Sequence, residues 1–338
     1  MPHEAALYEK NEGNAVRCRL CAHRCLVQEG KRGVCGVRGN EGGKLYALSY
    51  GKIISSAIDP VEKKPLFHFL PGTRIYSIAG VGCNFRCKFC QNWEISQHLR
   101  LGGDITGEET TPEEVVEAAA QTQCKSIAFT YTEPTIFHEF NVDVMKLAKK
   151  RGLKTAYVSN GFITPEAVTE LSGLLDAVNV DIKAFTNDFY VKICGATLEG
   201  VLEGCRQYRK NGVWLEITTL VIPGQNDDDA QLTGIARFIA EELGADVPWH
   251  VTAFHPDYQM KDVPATPVEA LQKAYDIGKK AGLRYVYAGN IPHTEAENTL
   301  CPKCQTLLIE RDYYAIKKNA LKVGACPRCS TKIAGVWK

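Results

Sequence analysis

Three closely spaced cysteines follow an apolar segment in the first third of the chain. The segment spans residues 75–81 and ends at Gly82, after which Cys83, Cys87 and Cys90 have the spacing C-x3-C-x2-C. Such a segment predicts a buried strand with a turn at its end. Three thiolates on one short loop can bind three irons of a cubane 4Fe–4S cluster and leave the fourth iron open for another ligand. The alternative is a zinc knuckle, which would need a fourth ligand that no nearby Cys or His provides.

The cysteine loop, with Phe89 before its last cysteine, resembles the signature of the radical S-adenosylmethionine (SAM) superfamily. The resemblance implies that the open iron binds the amino and carboxylate groups of SAM. It also implies that one electron from the cluster cleaves the sulfonium, and that the resulting 5′-deoxyadenosyl radical abstracts a hydrogen atom from a substrate. In such an enzyme the cofactors carry the chemistry, and the protein orients the reactants and excludes water.

The elements that must position this loop alternate between strand and helix from residue 74 to about residue 288. The predicted strands are residues 75–81, 126–131, 155–159, 177–182, 214–221, 250–254 and 285–288. Such alternation predicts a parallel sheet with right-handed crossovers, in six or seven units of an incomplete barrel. We therefore assign the α/β class, as a partial (β/α)6 TIM-like barrel of the radical SAM type. In these barrels the active site lies at the carboxyl ends of the strands, where the cysteine loop also falls.

Polar residues follow several other predicted strands. Those that we interpret as SAM contacts are Glu133, Ser159, Asn160, Asp181, Lys183 and His255. Glu133 resembles part of a motif common in radical SAM enzymes, and the next four resemble positions of pyruvate formate-lyase activating enzymes and their relatives. His255 follows a strand where a substrate or adenine contact could be made. Only Glu133 and Pro134 remain of the Gly-Gly-Glu-Pro motif of that superfamily, and the alternative for Glu133 is a carboxylate at a helix N-terminus. Asp181 and Lys183 project to the same face of a strand end, where the alternative is an ordinary ion pair. A lone histidine such as His255 is often structural.

The chain has fourteen cysteines, and eight of them form two further groups. The N-terminal group has the spacing C-x2-C-x3-C-x9-C and consists of Cys18, Cys21, Cys25 and Cys35. It could hold zinc or a second iron–sulfur cluster, with His23 as a substitute ligand, and the spacing does not choose between the metals. The C-terminal group consists of two C-P-x-C knuckles, Cys301, Cys304, Cys326 and Cys329, which predict a zinc ribbon with a rubredoxin-like iron site as the alternative.

Three cysteines stand outside these groups. We interpret Cys124, Cys194 and Cys205 as buried free thiols, while a methyl-carrying role for Cys194 or Cys205 stays open.

The formal net charge of +1 argues against a strongly basic nucleic-acid binder. The sequence contains neither a secretory signal nor an apolar run of membrane-spanning length, so a cytoplasmic location and no membrane partner are expected. The predicted domains are 1–73, with the N-terminal cysteines and lead-in strands, 74–297, the barrel, and 298–338, the ribbon.

The N-terminal cysteine block, the stretch 62–72 and the cysteine loop together resemble one subgroup, the AmmeMemoRadiSam-system radical SAM enzymes. That subgroup is related to glycyl-radical activating enzymes, and its name implies an association with Memo-like and AMMECR-like proteins. An electron donor such as flavodoxin or ferredoxin is also expected. Three hypotheses for function follow: a radical SAM enzyme that acts on a protein, a glycyl-radical activase, and a zinc-dependent binding module without catalysis.

Overall fold

The computed structural model describes residues 3–290 and 295–338. Its first strands are short: β1 (His3–Glu4), β2 (Tyr8–Lys10), β3 (Val16–Cys18), β4 (Leu26–Val27), β5 (Arg38–Glu41), β6 (Lys44–Ala47) and β7 (Lys52–Ile53). Six of them form two antiparallel sheets, in the orders β1-β6-β5 and β2-β3-β4. The turns between these strands bring the four N-terminal cysteines around one small pocket.

A large sheet follows. Its strands are β8 (Ser55–Pro60), β9 (Arg74–Ala79), β11 (Ser126–Phe129), β12 (Lys154–Ser159), β13 (Ala177–Asp181), β14 (Trp214–Val221), β15 (Trp249–Ala253) and β16 (Val286–Gly289), while β10 (Glu108–Glu109) pairs with β7 outside the sheet. The strands neighbour one another in chain order. All are parallel except β8, which pairs antiparallel with β9. The prediction of an incomplete parallel barrel is confirmed, with seven parallel strands instead of the six of the assigned class.

Helices connect the parallel strands. They are α1 (Trp93–Ser96), α2 (Pro112–Gln121), α3 (His138–Lys150), α4 (Pro165–Glu170), α5 (Asn187–Phe189), α6 (Leu198–Lys210), α7 (Asp229–Arg237) and α8 (Val268–Lys280). Thr111 caps α2, because its hydroxyl accepts the N–H of Glu114 while the Glu114 carboxylate accepts the N–H of Thr111. None of the helices in the two described ranges has the length and apolar character that a membrane crossing demands.

The segment 61–70, which joins β8 to β9, fills the barrel at the amino ends of its strands. Leu66, Phe69 and Leu70 pack in one buried cluster with the small side chains of Ala128, Ala156 and Ala177. The segment is held from the side by Glu216 on β14, whose buried carboxylate accepts the N–H groups of Phe67 and His68 at 3.0 and 2.8 Å. Alanines on three neighbouring strands thus make room for a loop that closes this end of the barrel.

The C-terminal part is a three-stranded antiparallel sheet of β17 (Thr299–Leu300), β18 (Leu307–Asp312) and β19 (Ala315–Asn319). Its buried Leu308 and Ile309 share an apolar cluster with Phe67 and Tyr287 of the barrel. The Arg311 guanidinium on β18 lies 4.1 Å from the centre of the Phe67 ring and donates to the Phe67 carbonyl at 2.9 Å. This sheet therefore packs against the same segment that fills the barrel.

Candidate active site

A cavity of about 430 Å³ lies inside the barrel at the carboxyl ends of the strands. Residues near the ends of all seven parallel strands, or just after them, line it, together with residues 62–65 and Phe67. Cys83, Cys87 and Cys90 all line this cavity. The sequence places these cysteines directly after β9, and the parallel arrangement brings them next to the polar ends of the neighbouring strands.

The cysteine loop is fixed by glycine and by backbone hydrogen bonds. Gly82 has a φ of +96°, and a Cβ atom there would lie 3.1 Å from the carbonyl oxygen of Cys35, so the turn demands glycine. The sulfur of Cys83 accepts the N–H of Phe85 at 3.3 Å, and the sulfur of Cys90 lies 3.1 Å from the Ser96 hydroxyl. Contacts of this kind orient the ligands of a metal centre.

The three sulfurs of this loop do not form a compact group that could hold a single ion, as the C-terminal cysteines do among the described residues. They line a cavity in which each thiolate could bind its own iron of a cluster. Burial raises the pKa of Cys83 and Cys90, and a hydrogen bond with Cys194, followed by burial, raises that of Cys87. Thiolates in such a place need a bound cation, which the iron atoms of a cluster supply.

Glu133 comes after β11 and is 2% exposed. Its carboxylate accepts the Ser159 hydroxyl at 2.8 Å and the Thr135 N–H at 2.9 Å through one oxygen, and the Asn160 N–H at 2.8 Å through the other. Asn160 in turn donates to the side chain of Asn84, next to Cys83. The structure therefore brings Glu133, Ser159 and Asn160 together along the cavity, and the carboxylate already has local partners that connect three strand ends.

Tyr131 occupies one of the positions where the Gly-Gly-Glu-Pro motif has glycine. Its φ is +64°, which is rare for a residue with a bulky side chain. The hydroxyl donates to Asp59 at 2.5 Å, and the ammonium of Lys64 lies 4.2 Å from the ring centre. Both contacts hold the strained residue in place at the edge of the cavity, in keeping with the strain that binding sites often store.

Asp181 and Lys183 form an ion pair of 3.0 Å on the cavity wall, with side chains 34% and 13% exposed. Burial lowers the pKa of Lys183, but Asp181 and the nearby thiols outweigh it, and this pKa lies well above its usual range. The ammonium is therefore charged. It also lies 5.6 Å from the centre of the Phe89 ring, beside the cysteine loop. A carboxylate ligand that enters the cavity would find this cation close to the thiols.

His255 does not line the cavity. Its Nε2 atom lies 3.0 Å from the Gln91 amide nitrogen in an exposed position, and Gln91 is a residue of the cavity wall. The chain turns outward after β15, so the residue that the sequence places after this strand reaches the mouth of the site and not its interior.

Several residues of the cavity were not expected from the sequence. His250 on β15 lines it and lies 2.7 Å from the buried carboxylate of Glu216, which also accepts the Trp214 indole N–H at 3.0 Å. Burial raises the pKa of Glu216, but His250 and its other partners outweigh it, and the pKa is lowered. Tyr287 on β16 stacks on His250 with ring centres 5.2 Å apart. Strand alternation could have identified His250, because residues two apart on β15 face the same side.

Two residues beyond the barrel strands also line the cavity, namely Glu297 and Tyr314. Burial raises the pKa of the Glu297 carboxyl to about 7, although Arg311 opposes the shift. The C-terminal sheet thus contributes an aromatic side chain to the wall of the site, and the short helical turn before it, Glu295–Glu297, contributes a polar one.

The raised pKa of Glu297 predicts a pH-dependent stability. Between pH ~4.5 and ~7 the unfolded chain has released this proton while the folded protein keeps it, so the free energy of unfolding falls as the pH rises through this range. In Glu297→Gln that contribution is absent, and the fall should be smaller. Urea unfolding at several pH values measures the difference, with the exposed Glu295→Gln as control. An equal pH dependence in wild type and Glu297→Gln would contradict the prediction.

The four C-terminal cysteines have their ligand atoms within 4.8 Å of one another. The sulfurs of Cys301 and Cys329 are 3.6 Å apart, as are those of Cys304 and Cys326. Hydrogen bonds from Thr306 lower the pKa of Cys304 to about 6. Four sulfurs at these distances surround one tetrahedral ion, for which a metal–sulfur bond of ~2.3 Å requires sulfurs ~3.8 Å apart.

Loss of one C-terminal ligand should remove the ion from this sheet. In Cys304→Ala the metal bound outside the iron–sulfur loop should fall by about one per chain, because structural sites of this kind use four ligands. The strands β17 to β19 should then exchange their amide hydrogens faster, since metal binding is coupled to folding. Elemental analysis and hydrogen exchange measure both effects. The control is Cys124→Ala, and an unchanged metal content in Cys304→Ala would exclude this site.

The comparisons with known proteins agree with this geometry. The model of the Radical SAM superfamily matches residues 77–233. The chain is 48% identical to an uncharacterized protein of Methanocaldococcus jannaschii over 332 residues, 98% of each chain, and 22% identical to the pyruvate formate-lyase 1-activating enzyme of Escherichia coli, over 64% of this chain and 93% of that one. A radical SAM methyltransferase from Sphaerobacter thermophilus has the same fold, with a TM-score of 0.51 and 16% identity, over 65% of this chain and 67% of that one.

Fold and site together define an enzyme with a metal centre on a cysteine loop inside a partial barrel. The chain belongs to the radical SAM superfamily, where it is related to the activating enzymes of pyruvate formate-lyase. This family implies a 4Fe–4S cluster and SAM as cofactors, and the three thiols of the cavity fit the cluster. The match to the archaeal relative extends over both outer cysteine groups. The narrower resemblance to AmmeMemoRadiSam-system enzymes stays a prediction.

Proposed function

We propose that this enzyme reductively cleaves SAM at a cluster on Cys83, Cys87 and Cys90 and abstracts a hydrogen atom from a protein substrate. The observation that carries the proposal is that the three thiols share one cavity with the Asp181–Lys183 pair and with Ser159 and Asn160. When bound, SAM and the cluster supply the 5′-deoxyadenosyl radical. The protein orients SAM, excludes water and presents the substrate.

Lys183 is proposed to bind the carboxylate of SAM. Its charged ammonium lies on the cavity wall beside the cysteine loop, and charge-assisted hydrogen bonds contribute ~1.5–3 kcal/mol. We expect Lys183→Met to raise the dissociation constant of SAM by ~10- to 100-fold without loss of iron. The control is Lys192→Met, an exposed lysine paired with Asp188. Unchanged SAM affinity in Lys183→Met, measured by equilibrium dialysis, would exclude this role.

A protein substrate is supported by the mouth of the cavity. Tyr314, on the turn between β18 and β19, is 44% exposed and also lines the cavity. Next to Asn92 of the cavity wall, Trp93 stacks on Tyr258 with ring centres 5.2 Å apart. Tyrosine and tryptophan are enriched where proteins bind one another. The similarity to enzymes named for activating pyruvate formate-lyase, itself a protein, supports the same class of substrate.

The source of the abstracted hydrogen tests the substrate class. Wild-type enzyme, prepared without oxygen, is given SAM, a chemical reductant and cell extract deuterated by growth in heavy water. We expect deuterium in the 5′-deoxyadenosine product when the protein fraction is supplied. Deuterium from the small-molecule fraction alone, or from nuclease-sensitive material, would contradict the proposal.

A glycyl-radical activase is the second candidate, because curated relatives with 22% and 28% identity carry the name of such enzymes. The same assay distinguishes it. Extract labelled only in the Cα hydrogens of glycine should transfer deuterium if a glycine is the target, and should transfer none if another residue is. A non-catalytic binding module would produce no 5′-deoxyadenosine at all.

The remaining partners and metals are also proposals. We propose zinc for the C-terminal cysteines, whose sulfur separations suit one tetrahedral ion. A one-electron donor of the flavodoxin or ferredoxin class would reduce the cluster. Memo-like and AMMECR-like proteins are proposed partners on the resemblance of the sequence alone.

A further inference from the structure

The four N-terminal cysteines form a second centre outside the active-site cavity. Cys18 ends β3, Cys21 and Cys25 lie on the turn that leads to β4, and Cys35 precedes β5. All four line one pocket, in which the other side chains include Leu20, Val34 and Ile136. The turn is closed by two backbone hydrogen bonds, from Cys18 N–H to the Cys25 carbonyl at 2.9 Å and from Arg24 N–H to the Cys21 carbonyl at 3.0 Å.

The separation of these sulfurs distinguishes a single ion from a cluster. Four thiolates around zinc would lie ~3.8 Å apart, as the C-terminal group does. The N-terminal group, all of whose members lie in the described range 3–290, does not form a compact ligand group of this kind, whereas the C-terminal ligand atoms all lie within 4.8 Å of one another. A cubane places each thiolate outside its own iron, so its four sulfurs lie farther apart than those around one ion. The N-terminal arrangement therefore favours a cluster over a single zinc ion.

The surroundings of the pocket also suit a cluster. Cys18 and Cys21 are buried, and Cys25 and Cys35 are partly buried. Cysteine side chains that meet in one pocket bind a metal centre as thiolates. His23 also lines the pocket, and its Nε2 atom lies 2.9 Å from the Asn84 carbonyl oxygen, next to Cys83.

The N-terminal pocket lies directly against the cysteine loop of the active site. One nitrogen of the Arg100 guanidinium donates to the carbonyls of both Val34 and Cys83, at 3.0 and 3.1 Å. The backbone at Gly82 also approaches Cys35 closely, because a Cβ atom at Gly82 would lie 3.1 Å from the carbonyl oxygen of Cys35. Residues adjacent to ligands of both centres are therefore joined by short contacts, which makes a direct route for an electron.

We propose that Cys18, Cys21, Cys25 and Cys35 hold a second 4Fe–4S cluster, which passes single electrons to the cluster on Cys83, Cys87 and Cys90. A low-potential one-electron donor of the ferredoxin or flavodoxin class is oxidised as it reduces the second cluster. That cluster is then reoxidised as it reduces the first, and no bond is formed or broken in the transfer. The proposed electron transfer rests on the proposed function, because it needs the cluster on Cys83, Cys87 and Cys90 as acceptor. The assignment of a cluster to the N-terminal cysteines does not rest on it.

Metal and sulfide analysis of full-length protein, purified without oxygen, tests the assignment. Wild type should contain about eight irons and eight sulfides per chain. The variants C18A/C21A and C83A/C87A/C90A should each keep about four irons per chain. The second variant leaves the N-terminal cysteines unchanged, so its result remains informative even if C18A/C21A fails to fold. About four irons in wild type and none in C83A/C87A/C90A would overturn the second cluster and leave the proposed function standing. About four irons in wild type that are lost in C18A/C21A and kept in C83A/C87A/C90A would overturn the proposed function and leave the N-terminal cluster standing.

Electron paramagnetic resonance tests the electron transfer. In fully reduced wild type, two paramagnetic clusters as close as these contacts imply should broaden each other's signals. Each of the two variants should give a sharp signal from one cluster. A wild-type spectrum equal to the sum of the two variant spectra would overturn the proposed transfer route, whatever the iron content.

Discussion

Replacement of Cys87 by alanine is expected to abolish the formation of 5′-deoxyadenosine from SAM. The cluster would keep two protein ligands on the loop instead of three, and thiolates are what hold such clusters. Loss of residues that merely orient metal ligands already costs ~10- to 100-fold, so loss of a ligand should exceed this range. Cys87 is 7% exposed and lines the cavity, whose other described thiols are those of Cys83 and Cys90, while the neighbouring Cys194 is not part of the cavity lining.

The assay uses chemically reduced protein, SAM and chromatography of the products, so that a natural electron donor is not needed. Cys124→Ala is the matched control, since Cys124 is equally buried but lies outside the cavity. Its cleavage rate should stay near that of wild type. Cleavage by Cys87→Ala at the rate of the control would rule out the cluster on this loop as the site of the reaction.

Replacement of Arg38 by methionine should lower the free energy of unfolding by ~3–5 kcal/mol. The Arg38 side chain is 2% exposed and donates two hydrogen bonds, at 2.8 and 3.0 Å, to the buried carboxylate of Glu139 on α3. Burial raises the pKa of Glu139, but Arg38 outweighs it and the pKa is about 2. Without the guanidinium the carboxylate is left buried and unpaired, and this is the source of the large effect.

The matched control removes both charges. Arg38→Met with Glu139→Gln should recover most of the lost stability, because no buried charge is then left without a partner. Urea unfolding of samples with equal metal content measures the cycle. Additive losses in the double variant would show that the two side chains stabilise the protein independently. Because Glu139 titrates below its unfolded pKa of ~4.5, the effect of Arg38→Met should shrink as the pH falls from 4.5 toward 2.

Much of the fold follows from local sequence patterns. Buried parallel strands are continuous apolar runs, and these are visible at residues 126–131 or 177–182 without any tertiary information. The cysteine loop, the strand-end residues and the two knuckles are likewise short motifs. They predict which residues gather at the carboxyl ends of the strands, and Glu133, Ser159, Asn160, Asp181 and Lys183 all line the cavity.

The remaining wall of the cavity depends on contacts between distant parts of the chain. Glu297 reaches it only because the C-terminal sheet packs on Phe67 and Tyr287. The role of the segment 61–70 inside the barrel depends on alanines at three separate positions of the sheet. His255 was predicted to lie in the site but does not line the cavity, since a residue just past a strand can turn away from the barrel. Neither periodicity nor spacing reports such packing.

The closed amino end of the barrel has a kinetic consequence. Leu66 and Phe69 seal that end, so a small molecule that reaches Lys183 and the thiols must pass the mouth near Gln91 and Tyr314. A macromolecule seated on the mouth would cover this passage. Turnover then requires an ordered mechanism, in which SAM binds before the macromolecule. The products of SAM cleavage leave after the macromolecule has dissociated. Excess macromolecular substrate should slow the reaction by forming a dead-end complex with the SAM-free enzyme.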